Sequence, residues 1–243
     1  MKNFTIPVLI LLLGCNGSLP NQNDMMVYQV QKITAAVEIN ANWDKDPWVN
    51  IDALSLRHYM GDEPEHIPQV QAKVAYDNQA IYVIFRVEDR YVRATRTKNQ
   101  EAVFKDSCVE FFFSPEGHSE EGYFNLEMNC GGTMLFHHQK EPRKDHIDIS
   151  TEDLAKIDVA HSLPEVVTPE IQAPTTWTVE YRIPFEVMAK YHDLQPPTAG
   201  STWRSNFYKC ADESSHPHWL TWAPIDFPRP DFHLPEFFGI LKF

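Results

Sequence analysis

The residues best suited to chemistry are aromatic and lie late in the chain. The tract His216-Pro217-His218-Trp219-Leu220-Thr221-Trp222-Ala223-Pro224 carries two of the six tryptophans. A flat indole suits a ligand with an apolar C–H face and a rim of hydroxyls, as a sugar ring has, when donors and acceptors surround the plate. Trp219 and Trp222 are three apart, so on a regular strand they face opposite ways, one toward a core and one available. Polar groups of suitable type stand at Arg86, Arg204, Asn206, Tyr208, Lys209, His218 and His233.

Other constellations point to other chemistry. Glu110 and Glu127 fall on neighbouring strand candidates and could pair as a glycosidase's two carboxyl groups do. The plainer expectation makes Glu110 a buried partner for an arginine and leaves Glu127 on a solvated face. His137-His138 with His146, and His216 with His218, are imidazole groups that bind zinc or copper once a third ligand closes the site. Asp44 with Asp46, and Glu88-Asp89, offer oxygens to calcium without forming an EF-hand loop. Cys108, Cys130 and Cys210 are odd in number, so at least one has no intramolecular partner. Each sits in an apolar run, where cysteine is commonly a buried free thiol. The chain has no G-x-S-x-G elbow, P-loop, G-x-G-x-x-G or H-E-x-x-H, so no catalytic signature stands out.

The start of the chain is an address. Lys2, the apolar run Phe4 to Leu13 and Gly14-Cys15 have the layout of a secretory signal, and the run is too short to span a bilayer. Leu12-Leu13-Gly14-Cys15 resembles the lipobox cut before a lipidated cysteine. The expected organisation is a signal peptide over 1–14, a flexible tether over 15–26 beginning at the lipidation site Cys15, and a domain over 27–243. That places the protein in the cell envelope, held to a membrane by lipid and facing either the periplasm or the exterior. Cleavage leaves 229 residues with 34 acids against 20 bases, a charge of −14. Such a surface is repelled by nucleic acid and anionic lipid.

The elements that must position these residues are strands. In Gln69 to Tyr76, Val70, Ala72, Val74 and Tyr76 share one face, and Asp77-Asn78-Gln79 turns the chain into a second strand, Ala80 to Glu88. Further strands are expected at 28–32, 54–58, 107–113, 123–129, 133–137, 157–161, 177–183, 203–210, 219–222 and 239–243. Val109 to Phe113 is apolar on both faces except at Glu110, which places it mid-sandwich. Helix is confined to about two turns over 184–191 and a capped turn at 150–156. Eighteen prolines cluster between the strands. The fold class is all-β, an antiparallel, jelly-roll-like β-sandwich with one or two short helices.

The motifs, taken in order, are more specific than any one alone. Tyr76-Asp77-Asn78-Gln79-Ala80-Ile81-Tyr82-Val83-Ile84-Phe85-Arg86-Val87-Glu88-Asp89 resembles the YDDEALYVAFRVED hairpin of family 9 carbohydrate-binding modules. Asp106-Ser107-Cys108-Val109-Glu110-Phe111-Phe112 is similar to the DDSVEVFL strand that follows it there. Trp177 to Phe185 matches W-x-x-E-x-x-I-P-F, Trp203 to Cys210 matches WR-x-N-F-Y-R, and the end from Trp222 to Gly239 resembles W-S-P … DFH-x-P-x-x-FG. The resemblance, to the DOMON-like superfamily more broadly, implies a sandwich that binds an oligo- or polysaccharide without cleaving it. It also implies two tryptophans gripping a chain end, and structural calcium. Here the aligned hairpin carries Tyr76 and Tyr82, which leaves Trp219 and Trp222 as candidate plates. Related sandwiches of that superfamily bind haem through Met, His or Lys. The residues for that alternative are Met128 and Met134 with His137 or His138.

Overall fold

Period-two alternation builds two layers here. The structure, a computed structural model, describes residues 25–35, 37–117 and 121–243. The central strand of the first sheet is β8 (Cys108–Ser114), flanked antiparallel by β9 (Tyr123–Asn129) and β15 (Thr202–Cys210). The sheet continues past β9 through β10 (Met134–Glu141) to β11 (Asp145–Asp148). On the other side β15 is followed by β17 (Gly239–Lys242) and β1 (Val27–Gln29). The C-terminal end of β15 pairs instead with β16 (Trp219–Thr221), which carries β4 (His58–Tyr59).

The second sheet runs β12 (Asp158–His161), β14 (Thr175–Pro184), β6 (Ala80–Asp89), β5 (Gln69–Tyr76) and β2 (Gln31–Lys32), with β3 (Leu54–Leu56) beside the start of β5. A ribbon of β7 (Val92–Ala94) and β13 (Val167–Ile171) stands apart. The two helices, α1 (Thr151–Leu154) and α2 (Phe185–Met188), are single turns, and Ser150 caps α1 by accepting the Asp153 N–H. The expected hairpin at 69–88 is β5–β6. Its turn is tied by Asp77, whose carboxylate accepts the Gln79 and Ala80 N–H groups and the Tyr82 hydroxyl. The strands β7, β11 and β13 were not expected from alternation; they are short, lie at edges, and β13 contains a proline. The expected signal peptide, Cys15 and most of the expected tether lie outside the described residues.

Alternate residues of the two sheets meet in one core. Phe111 and Phe113 of β8, Phe124, Leu126 and Met128 of β9, and Trp203 and Phe207 of β15 pack against Val70, Val74, Val83, Phe85, Trp177 and Val179. Each such side chain contributes about 1.5–3 kcal/mol on burial. Trp177 of the W-x-x-E-x-x-I-P-F motif is therefore a core residue, and β8 sits mid-sheet as its two apolar faces require.

Both sheets are also covered on their outer faces. Over the second sheet, Trp48 and Ile51 pack on Ala75, Ala80, Tyr82 and Ile84. Glu180 of β14 fastens this cover. Its Oε2 accepts the Asn40 and Ala41 N–H groups at 2.9 and 2.7 Å and the Lys45 ammonium at 2.8 Å. Its Oε1 accepts the Trp48 indole N–H at 2.8 Å. The motif's glutamate is thus a buried clamp with both carboxylate oxygens engaged. Glu180→Ala strands the Asn40, Ala41 and Trp48 N–H groups and is expected to cost on the order of 3 kcal/mol. Denaturant titration should show a lower midpoint at unchanged slope.

Candidate functional site

The first sheet's outer face buries two acids, Glu110 and Glu127, that form no ion pair among the described residues. On β8 the pleat sends Cys108, Glu110 and Phe112 outward; on β9 it sends Tyr123, Asn125 and Glu127 outward. Antiparallel register sets Glu110 directly opposite Glu127, and Cys108 opposite Cys210. Around them Phe112, Tyr123, Tyr208, Phe232 and Phe238 form a second apolar cluster, with Phe104 and Trp219 at its margin.

The cover is the loop between β16 and β17, held down by β15. The Asn206 side-chain amide donates to the Ala223 carbonyl at 3.1 Å and accepts the Ala223 N–H at 2.9 Å. The Tyr208 hydroxyl donates to the Phe232 carbonyl at 3.1 Å, and the two rings stack with centroids 4.1 Å apart. The Arg204 guanidinium donates to the Phe238 carbonyl, at 2.6 Å from Nη2. Between this loop and the sheet lies a pocket of about 170 Å³. Its floor is Glu110, Glu127 and Cys210, its walls are Phe104, Phe232 and Trp219, and its rim is Arg143, Asp212, Asp231 and His233. Trp219 and Pro230 also border a shallow groove of about 560 Å³ that runs on past Gly61–Glu65 and Ser215–Pro217.

The electrostatics follow from burial. Desolvation, with Cys210 and Glu127 beside it, raises Glu110 well above the usual carboxylate range. Glu127 is pushed to about 8, chiefly by desolvation and against the hydrogen bond that the Asn125 amide donates to its Oε1 at 3.0 Å. Its other oxygen, Oε2, is buried without a hydrogen-bond partner among the described residues. Asp212 is raised by burial although it accepts the Trp219 indole N–H at 2.8 Å. Burial and the neighbouring Arg143 lower His233 to about 3, so its imidazole is neutral; Nδ1 lies 2.7 Å from the Tyr123 hydroxyl. Arg143, itself at positive φ, binds Asp231 at 2.7 Å. The pocket therefore offers flat apolar walls, carboxyl groups that both donate and accept, and one fixed guanidinium.

This geometry redistributes the residues singled out in the sequence. Trp219 and His233 reach the pocket. Trp222 is 2 % exposed and packs edge-on to Phe207 in the core, so it offers no face to a ligand. Arg204, Asn206 and Tyr208 spend their polar atoms on the covering loop and position the site from behind. Arg86 lies on β6 of the other sheet, paired to Glu88. His218 is buried, 2.7 Å from the Lys209 amine, and lowered well below its usual range by desolvation and that neighbour.

Glu110 has no arginine partner, since the Cys210 thiol donates to its Oε1 at 3.1 Å, and Glu127 is 4 % exposed rather than solvated. His137 and His146 stack beside Asp148, while His138 points to the opposite side and is enclosed by Phe124 and His192. Met128 and Met134 fill the inner core as register partners. His216 stacks on Tyr91 at 3.6 Å. Asp46, Glu88 and Asp89 have protein partners at separate points of the fold, and the three described cysteines are free and buried. Phe104, Arg143, Asp212, Asp231 and Phe232 were missed. Only Asp231-Phe232-His233 carried a signal, through its motif.

Comparison with known proteins accords with this arrangement. The sequence model of carbohydrate-binding family 9 matches residues 36–243. A search of the curated proteins found no match. The crystal structure of a candidate carbohydrate-binding protein from Bacteroides uniformis superposes with a TM-score of 0.81 at 28 % identity, over 90 % of this chain and 99 % of that one. A family 9 module from Caldicellulosiruptor kristjanssonii in complex with cellotriose shares the fold at a TM-score of 0.60 and 16 % identity, over 89 % and 93 % of the two chains. The same organism's family 9 module with glucose gives 0.57 and 15 %, over 89 % and 95 %. With most of its length matched and the sandwich in place, the chain belongs to carbohydrate-binding family 9.

Proposed function

We propose that the pocket between the β16–β17 loop and the first sheet binds one sugar unit non-covalently. Further units of an oligo- or polysaccharide would follow the groove beyond Trp219 and Pro230. The observation that carries this reading is an aromatic-walled pocket whose floor holds the unpartnered Glu127 Oε2. A buried carboxyl oxygen without a partner costs about 1–3 kcal/mol, and a sugar hydroxyl, which can accept or donate, supplies the missing hydrogen bond. Family membership and the ligands of the two Caldicellulosiruptor modules support the same ligand class. One ring stacked on Trp219 adds about 0.5–1.5 kcal/mol beyond its buried area, so affinity in the millimolar-to-micromolar range is expected.

Binding without cleavage fits the acids better than hydrolysis does. Residues directly opposite in an antiparallel pair have Cα atoms about 4.5–5.5 Å apart. Glu110 and Glu127 therefore lie side by side on one floor and address the same face of a ligand. Glycosidic cleavage needs carboxyl groups on opposite sides of the scissile bond. In this reading Cys15 is lipidated, and the tether holds the domain near the envelope membrane so that captured polysaccharide stays close to the cell.

Trp219→Ala should weaken retention in affinity electrophoresis on a retained polysaccharide by about tenfold, equivalent to ~1.4 kcal/mol. Unchanged retention would show that Trp219 is not the plate. Glu127 has a separate signature. Its folded pKa of about 8 lies above the ordinary value of 4.5. Its contribution to stability is therefore complete below the ordinary value and lost as pH rises through 8. Glu127→Gln should flatten that fall and raise the melting temperature at pH 9 by several degrees, for a gain of about 2 kcal/mol. Cys15→Ala should move the protein from the detergent phase to the aqueous phase on detergent partitioning of expressing cells. A variant still in the detergent phase would remove the anchor.

A further inference from the structure

Two residues of the pocket floor, Glu110 and Cys210, also belong to a cluster that continues downward to Cys108. Cys108 and Cys210 are register partners on β8 and β15, and Glu110 lies two residues beyond Cys108 on the same face. The two Sγ atoms and a Glu110 carboxyl oxygen all lie within 4.8 Å of one another, and each residue is at most 2 % exposed. The Cys210 thiol sits 3.1 Å from Glu110 Oε1 and 3.3 Å from the Phe104 carbonyl. The Cys108 thiol has a long contact of 3.7 Å to the Val109 carbonyl. Glu127, with its unpartnered oxygen, stands directly across from Glu110.

Four proton-bearing groups thus converge on one buried spot, and the nearby cations are committed elsewhere. Arg143 binds Asp231 at the rim. Lys209 is directed to the inner side, to His218 and to Asp89 at 3.5 Å. Burial pushes the Cys108 thiol to about 12 and raises Cys210 and Glu110 as well, so the cluster is held neutral by its own protons. Two sulfurs and one carboxyl oxygen at this spacing form the donor set of a borderline-soft divalent ion, whereas calcium and magnesium take oxygen.

We propose that Cys108, Cys210 and Glu110 form a zinc-type cation site beneath the sugar pocket, with its fourth coordination position open to the pocket. Binding forms two metal–sulfur bonds and one metal–oxygen bond. It releases both thiol protons to solvent, and the Glu110 proton wherever that group is protonated. Three anionic ligands around a divalent ion leave one negative charge, and a neutral fourth ligand, water or a hydroxyl, does not alter it. Affinity therefore rises with pH.

A second donor cluster among the described residues, His137, His146 and Asp148, is the natural competitor. Both imidazole Nε2 atoms lie 3.3 Å from Asp148 Oδ1. Asp148 is 61 % exposed and His146 45 %, so water and mutual hydrogen bonds already satisfy this group. It lacks sulfur, which makes the two sites distinguishable by absorption.

The test is titration of the purified, thiol-reduced protein with Co2+ as a zinc surrogate, followed by displacement with Zn2+. One equivalent should produce thiolate-to-metal charge-transfer absorption, with proton release and tighter binding at higher pH. Cys108→Ser and Cys210→Ser should each abolish the band. Glu110→Gln, a milder change at the pocket floor, should keep the band with affinity lower by at least about tenfold. His146→Ala should leave both band and affinity unchanged. The proposal is overturned if the reduced protein shows no such band, or if the band survives both serine variants. It is equally overturned by binding that disappears in His146→Ala, or by a Cys108–Cys210 disulfide in protein isolated from the envelope.

Discussion

The site depends on the paired hydrogen bonds between the Asn206 side chain and the backbone of Ala223. A primary amide carries its donor and its acceptor on two separate atoms, so it can donate to a carbonyl and accept from the same residue's N–H at once. Here it does so from a strand that is buried on both faces. That anchor fixes where the chain leaves β16. Tyr208 then catches it at Phe232, and Arg204 at Phe238. Without the three contacts the segment would be a long proline-rich loop over an apolar sheet face. With them it becomes the roof of a pocket. A loop tied at three points to a rigid strand has little conformational entropy left to lose when a ligand arrives.

The same logic explains what could be read in the residues and what could not. Alternation along Gln69–Asp89 and Tyr123–Asn129 exposed the sandwich, because one face of each strand is committed to the core and period two is visible without tertiary information. The three-residue spacing of Trp219 and Trp222 likewise anticipates a ring that lines the pocket and one sealed in the core, since residues three apart on extended backbone point to opposite sides. Donor type marks Arg204, Asn206 and Tyr208 as candidate ligand contacts, but it does not reveal whether backbone groups will consume those donors. The polar atoms of all three go to carbonyls or an N–H of the covering loop. Phe104 and Phe232 were missed for the complementary reason. Each lies in a segment without regular period, and only the fold shows that both close on β8 and β9. Glu110 and Glu127 were adjacent in the strand reading, but their burial depends on the loop overhead.

The two sides of the first sheet treat charge differently. On the inner side Lys209, Asp89, His66 and His218 form a connected network near the end of the sandwich, where amine, carboxylate and imidazoles answer one another. On the outer side Glu110, Glu127 and the two thiols have no cation among them. Low local dielectric makes this difference large, because an unpaired buried charge costs far more than a paired one. The outer groups accordingly keep their protons. A protonated acid on a dry floor can hand a hydrogen bond to a ligand oxygen as well as take one, which an ionised carboxylate cannot do. A single site can therefore read hydroxyls in either orientation.

This arrangement lowers stability, and that is informative. Replacing Glu127 by an apolar residue would remove a desolvated oxygen from beneath Phe104 and Phe232 with little effect on the packing around it. A sandwich that needed only to fold would do better with leucine there, as it already uses leucine at position 126 on the facing side of the same strand. Buried polar atoms left without partners are uncommon in folded proteins, and each calls for an explanation. The orphaned oxygen, the adjacent Glu110, the neutral His233 and the three aromatic walls open into one space. In the proposed reading, that convergence ties the cost of the acids to occupancy of the pocket and not to the stability of the strands beneath it.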